Sequence, residues 1–179
     1  MRRSELEHII RASSSITKET EIVIVGSQSI LGQFPNPNPE LLVSMEADVF
    51  PLCNPSLSDV IDGNIGERST FHLTFGYYAH GVDETTAVVP AGWKNRLVPI
   101  RNQNTQGATG LCLEVHDLAA SKLVAGREKD IKFIKILMSE NMINLNTLKK
   151  RIATLPVAAE RMSTVRERLQ RLTARATLT

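Results

Sequence analysis

The chain has 179 residues, 42% hydrophobic and 22% charged, which is enough for one substantial domain with an appended helical segment and a core that needs no covalent staples. Cys53 and Cys112 stand far apart, no Cys–His grouping has zinc-ligand spacing, and MRRSELEHII develops no uninterrupted apolar run, so neither a disulfide framework nor a secretory or membrane segment is expected and the cytoplasm is the default compartment. The formal net charge of +2 is a cancellation: residues 1–140 hold 13 basic and 17 acidic side chains, and those from 141 onward hold 8 and 2, giving a body of −4 and a tail of +6.

Leu6, Ile9 and Ile10 recur at helical spacing, with Glu5 and Glu7 early enough to suit the helix dipole, and predict a helix over 4–15. The apolar run Ile22, Val23, Ile24 and Val25 ends at Gly26 and reads as a central strand. SQSILG can then begin with a serine cap and run as a short helix until Gly32 and the PNPNP stretch stop it. Across 40–50, Val43, Met45, Ala47 and Val49 alternate with Ser44, Glu46 and Asp48, which is strand periodicity.

LSDVIDG opens a further helical piece, FHLTFGYYAH is predicted to be extended with a bend near Gly76, and TTAVVP, beyond Gly81, is predicted to be extended through its β-branched residues. Leu97, Val98 and Ile100 supply a strand whose Pro99 favours an edge, and GLCLEV supplies a shorter one. Asp117 is placed to cap a helix carrying Leu118, Leu123, Ile131, Phe133, Ile134 and Leu137; one helix divided at Gly126 and two adjoining helices both fit. Leu148, Ile152, Leu155, Val165, Leu169 and Leu172 line two terminal helices, with Pro156 in the first turn of the second. The expected class is α/β, a mixed sheet flanked by helices over 1–140 with a basic helical extension over 141–179.

Glu46 and Asp48 lie two apart on a strand, so both carboxylates point to one face and can approach a divalent ion. Magnesium takes oxygen ligands and bridges carboxylates to phosphates, Gly26 permits close approach, and Ser27 can donate to a phosphate oxygen. The plain alternatives are a strand-to-helix turn capped by Ser27 and a solvated carboxylate face on an edge strand.

With these residues the chain resembles the polymerase-beta-like nucleotidyltransferase superfamily, and in particular small bacterial relatives of the nucleotidyltransferase toxins of abortive-infection systems. The matching features are an apolar strand, Gly26 and Ser27 at a short helix, Glu46 and Asp48 on the following strand, and HDLAASKLVAGREKD, which looks like the helical lysine and arginine/aspartate region of the toxin-type relatives. The likeness covers about residues 20–140 and implies a minimal nucleotidyltransferase fold. Such enzymes transfer a nucleoside monophosphate from a nucleoside triphosphate to a hydroxyl acceptor, here RNA, protein or a small molecule, with magnesium, or manganese in its place, as cofactor.

By that resemblance Gly26 and Ser27 contact phosphate, Glu46 and Asp48 hold metal, Lys122, Arg127 and Lys129 neutralise phosphate charge, and Asp130 orients a basic side chain or closes the helix packing. The chain departs from the pattern in its shortened GSQ signature and in Glu46, where aspartate is common. A third carboxylate is expected from a later strand; Asp83, Glu84 and Glu114 compete for that place, and Glu114 is favoured as catalytic and metal-binding.

His72, His80 and His116 form no short zinc arrangement and carry little weight. Tyr77, Tyr78 and Trp93 can stack on a base or fill the core. The competing function is a catalytically inactive nucleotidyltransferase-like protein whose basic C-terminal helices contact nucleic acid, an antitoxin-like partner or a second copy of the chain, with no membrane involved.

Overall fold

The computed structural model describes residues 1–176, with side chains through 174. It comprises two compact units, one of residues 1–87 and 94–114, the other of residues 88–93 and the chain from 115 onward.

The first unit is built on five strands: β1 (Glu21–Val25), β2 (Glu46–Pro51), β3 (Tyr78–Gly81), β4 (Val98–Ile100) and β5 (Thr109–Cys112). Their order is β3-β2-β1-β5-β4. β1 runs antiparallel to β2 and parallel to β5, β2 runs parallel to β3, and β4 runs antiparallel to β5. Ile22, Val23 and Ile24 are wholly buried, as their unbroken apolar run requires of a strand in the middle of a sheet. Pro99, with no N–H to donate, sits on the edge strand β4. Helix α1 (Arg3–Thr17) buries Leu6, Ile9 and Ile10 completely, worth about 1.5–3 kcal/mol apiece, and packs with β1, β2 and α2 (Ser58–Ile65).

Three expected extended segments are corrected. Residues 40–45 do not join β2: a 3-10 turn at Pro39–Leu41 is capped by Asn38, and the Ser44 carbonyl accepts from the Met1 amino group at 2.9 Å and from Gln28 Nε2 at 3.0 Å. Val43 and Met45 are consequently 82% and 56% exposed, and the alternation is used only from Ala47 onward. FHLTFGYYAH is mostly not a strand either. Ser69 Oγ accepts from the His72 N–H and caps α3 (Thr70–Phe75), Gly76 ends that helix in the left-handed conformation, and only Tyr78–Gly81 becomes β3. Phe71 and Phe75, four apart, gather with His8 and Tyr77 as a helical pair can. TTAVVP contains the end of a 3-10 turn, Glu84–Thr86, capped by Asp83, and no strand.

The second unit holds α4 (Val115–Ala125), α5 (Glu128–Ser139), α6 (Leu145–Ile152) and α7 (Ala159–Ala176). Gly126, with φ +63°, breaks α4 from α5, and the space a Cβ would need there is taken by the Arg168 guanidinium. Arg168 Nη1 donates to the Leu123 and Val124 carbonyls at 2.7 and 3.0 Å, satisfying the end of α4. Asp117 is not the cap of α4 but its third residue, fully buried and ion-paired to Arg151 at 3.2 Å. Pro156 precedes α7 by three residues instead of sitting in its first turn. Two of the basic tail residues, Arg151 and Arg168, thus serve internal packing, while Lys149, Lys150, Arg161, Arg166 and Arg171 are exposed. The expected class holds: a mixed sheet flanked by helices, with a basic C-terminal helix. Among the described residues no helix is long and apolar enough to cross a membrane.

Candidate active site

The sheet register assembles the site. Antiparallel pairing sets Asp48 opposite Val25, the last residue of β1, and parallel pairing sets Asp48 opposite His80 and Glu46 opposite Tyr78. Side chains alternate along a strand, so Glu46, Asp48, Tyr78 and His80 share one face. His80 Nδ1 lies 3.1 Å from Asp48 Oδ1 and 3.9 Å from Glu46 Oε1. One donor atom from each of Glu46, Asp48 and His80 lies within 4.8 Å of the other two. Tyr78 Oη donates to Glu46 Oε2 at 2.9 Å, and the His72 ring stacks on Tyr78 with centroids 4.6 Å apart.

Gly26 is required where it stands. Its φ is +67°, and a Cβ there would come 2.2 Å from Asp48 Oδ2. The backbone of the turn therefore touches the carboxylate directly. Ser27 opens the 3-10 turn Ser27–Gly32, while the Ser29 hydroxyl closes it by donating to the Gly26 carbonyl at 2.8 Å. Burial, and next the adjacent Glu46 charge, push Asp48 up to about 6, against the downward pull of its hydrogen bond to His80. Two carboxylates sharing a face with an imidazole form a group that can coordinate a divalent cation.

The remaining candidates lie as follows. Glu114 comes two residues after the end of β5, at the same end of the sheet as Gly26 because β1 and β5 are parallel, but two strand spacings from β2, about 10 Å. It is not among the converging group, and neither is Asp83 or Glu84; Asp83 caps a turn and Glu84 pairs with Lys94 at 2.6 Å. In the second unit, Lys122 is 8% exposed and donates to the fully buried Asp130 at 3.1 Å, with its ammonium 4.3 Å from the centroid of the Phe133 ring. Arg127 Nε reaches the other Asp130 oxygen at 2.7 Å while 63% of its side chain stays exposed, and Lys129 is exposed. His116 accepts from the Asn144 N–H at 2.8 Å, a helix-start contact.

The family model described as nucleotidyltransferase of unknown function (DUF6036) matches residues 4–174. The chain belongs to this nucleotidyltransferase family. No curated protein and no solved structure matches it. The Glu46, Asp48 and His80 group lies beside a glycine turn of the kind that lets backbone approach a ligand. His80 carries little weight in the sequence alone, and Tyr78 reads there as a stacking or core residue, because their partners are 32 positions away and are brought over only by the parallel β2–β3 pairing. A histidine two residues after a tyrosine in a β-rich stretch was the sole signal, and it points nowhere until the register is known.

Proposed function

We propose that the protein transfers a nucleoside monophosphate from a nucleoside triphosphate to a hydroxyl acceptor, with Glu46, Asp48 and His80 holding the divalent cation. The observation that carries this reading is the convergence of those three side chains beside Gly26 at the end of β1 in a chain of nucleotidyltransferase family. A cation held there would offset triphosphate charge and polarise the phosphate for attack. The chain's own residues do the rest. Tyr78 fixes the orientation of Glu46, Gly26 keeps the turn close to Asp48, and Ser27 offers its hydroxyl to a phosphate oxygen. In the helical unit Lys122 and Asp130 hold the basic region in shape and Arg127 and Lys129 carry its exposed positive charge; in the sheet unit Glu114 is the further carboxylate at this end of the sheet.

In the reaction the acceptor oxygen bonds to the α-phosphorus, the bond from that phosphorus to the α–β bridging oxygen breaks, pyrophosphate leaves, and the acceptor proton passes to a carboxylate or to solvent. The acceptor is RNA, protein or a small molecule. The test is purified protein incubated with each labelled nucleoside triphosphate, a divalent salt and a mixture of RNA, protein and small hydroxyl compounds. Metal-dependent label on one acceptor, lost in the Glu46→Ala/Asp48→Ala double variant and reduced in Glu114→Gln, is the expected result. No metal-dependent transfer to any acceptor overturns the proposal, and nucleotide binding without transfer favours the inactive binding protein instead.

A further inference from the structure

We propose that the cation site of this protein is a mixed oxygen and nitrogen site, with His80 Nδ1 as its third ligand, and that it therefore selects Mn2+ over Mg2+. The inference rests on the reading of Glu46 and Asp48 as cation ligands and goes beyond it by naming the ion. Glu46 has one oxygen hydrogen-bonded elsewhere, and one oxygen of Asp48 is crowded by the turn. Glu46 Oε2 accepts the Tyr78 hydroxyl at 2.9 Å, and Asp48 Oδ2 lies against the Gly26 backbone, where a Cβ would sit 2.2 Å away. The other two oxygens, Glu46 Oε1 and Asp48 Oδ1, are the ones that face His80 Nδ1, at 3.9 and 3.1 Å. The three atoms left over thus converge as two oxygens and one nitrogen.

His80 is not a loose surface side chain that happens to swing past. Its backbone is fixed in β3, in parallel register with Asp48, so the imidazole starts from a defined point on the same face. The side chains of His80, Glu46 and Asp48 remain 49%, 37% and 25% exposed, which leaves the open side of the group accessible to water or phosphate oxygens. Magnesium demands oxygen ligands in a near-ideal octahedron and sheds water reluctantly. Manganese shares the preference of magnesium for carboxylate oxygen, but as a transition ion it also takes an imidazole, and later members of the divalent series bind nitrogen donors more tightly still. A strand-borne histidine in this position therefore works against magnesium.

The experiment uses metal-free full-length protein, without nucleotide, titrated calorimetrically with MnCl2 or MgCl2 alone, and pulsed electron paramagnetic resonance of the Mn2+-loaded protein. Wild type is expected to bind Mn2+ more tightly than Mg2+ and to show nitrogen coupling from one imidazole. His80→Asp should remove that coupling and close most of the affinity gap by tightening Mg2+. Equal affinities for the two ions in wild type, no nitrogen coupling, or no binding of either ion overturns the proposal, and these readouts need no variant to fold. Nucleotidyl transfer is scored separately. Transfer supported equally by both ions and by His80→Asp leaves the enzyme reading standing while this inference falls; selective Mn2+ binding with nitrogen coupling but no transfer does the reverse.

Discussion

His80 Nδ1 sits 3.1 Å from Asp48 Oδ1 across the β2–β3 pair, and the same Asp48 carboxylate abuts the backbone of Gly26 on the β1 side. Asp48 is therefore gripped from both neighbouring strands. In the metal-free protein its carboxyl is raised to about 6 by burial and by Glu46, so the folded state holds a proton that the unfolded state releases near its ordinary value. Where the folded state binds more protons, stability falls as pH rises. The contribution is fully present below pH 3.8 and is lost as pH climbs through about 6. Thermal melts in chelator should show this decline, Asp48→Asn should flatten it, and a saturating divalent cation should restore stability at neutral pH. An identical pH profile for wild type and Asp48→Asn would contradict the assignment.

Gly26→Ala tests the other grip. The backbone there has φ +67° and ψ −165°, a region nearly closed to residues with a Cβ, at a cost of about 1–3 kcal/mol. The new methyl would also collide with Asp48 Oδ2, so either the turn or the carboxylate must move. The variant should melt earlier and lose cation affinity together. A lower melting temperature with unchanged cation affinity would mean that the turn, not the Asp48 carboxylate, gives way.

The local parts of this architecture were legible and the non-local parts were not. The run from Ile22 to Val25 reads directly as a central strand, because covering both faces demands unbroken apolarity. Glu46 and Asp48 read directly as a pair, because period two depends on nothing beyond their own strand. Val43 and Met45 continue the same alternation, yet periodicity states only that residues could share a face, not that a neighbouring strand exists to cover it; here the Ser44 carbonyl bonds elsewhere. Phe71 to Phe75 looked extended because aromatic residues favour strands, but Ser69 and Gly76 bracket six residues with a cap at each end, and capping prevailed. His80 became a site residue only through the parallel register that no linear spacing announces.

Tyr78→Phe removes one hydroxyl and keeps the ring that stacks on His72. Burial and the hydrogen bond to Glu46 push the Tyr78 phenol up to about 12, so it remains a donor at any physiological pH. Loss of a hydrogen bond that orients a metal ligand costs about 10–100-fold in metal affinity, whereas loss of a half-buried hydrogen bond costs about 1 kcal/mol of stability. Calorimetric titration should therefore show a marked drop in cation affinity with a small change in melting temperature. Unchanged affinity would show that Glu46 is oriented by something other than Tyr78.

The Lys122–Asp130 pair separates a structural from a phosphate-binding role for the helical basic region. Asp130 is completely buried and accepts from both Lys122 and Arg127, which hold its carboxyl below the usual range despite burial. Burial lowers Lys122, and Asp130 opposes that shift. Asp130→Ala removes the buried carboxylate that accepts from Lys122 and Arg127, at a cost of about 3–5 kcal/mol. A lysine whose folded value is depressed binds fewer protons folded than unfolded, so the variant should regain stability as pH rises toward the ordinary lysine value of about 10.4. Arg127→Ala, which removes a largely exposed arm, should cost far less stability and should instead weaken nucleotide binding. Melts of both variants across pH, set beside nucleotide titrations of Arg127→Ala, decide the matter: a severe Arg127→Ala stability loss with intact nucleotide affinity would make the whole cluster a packing device.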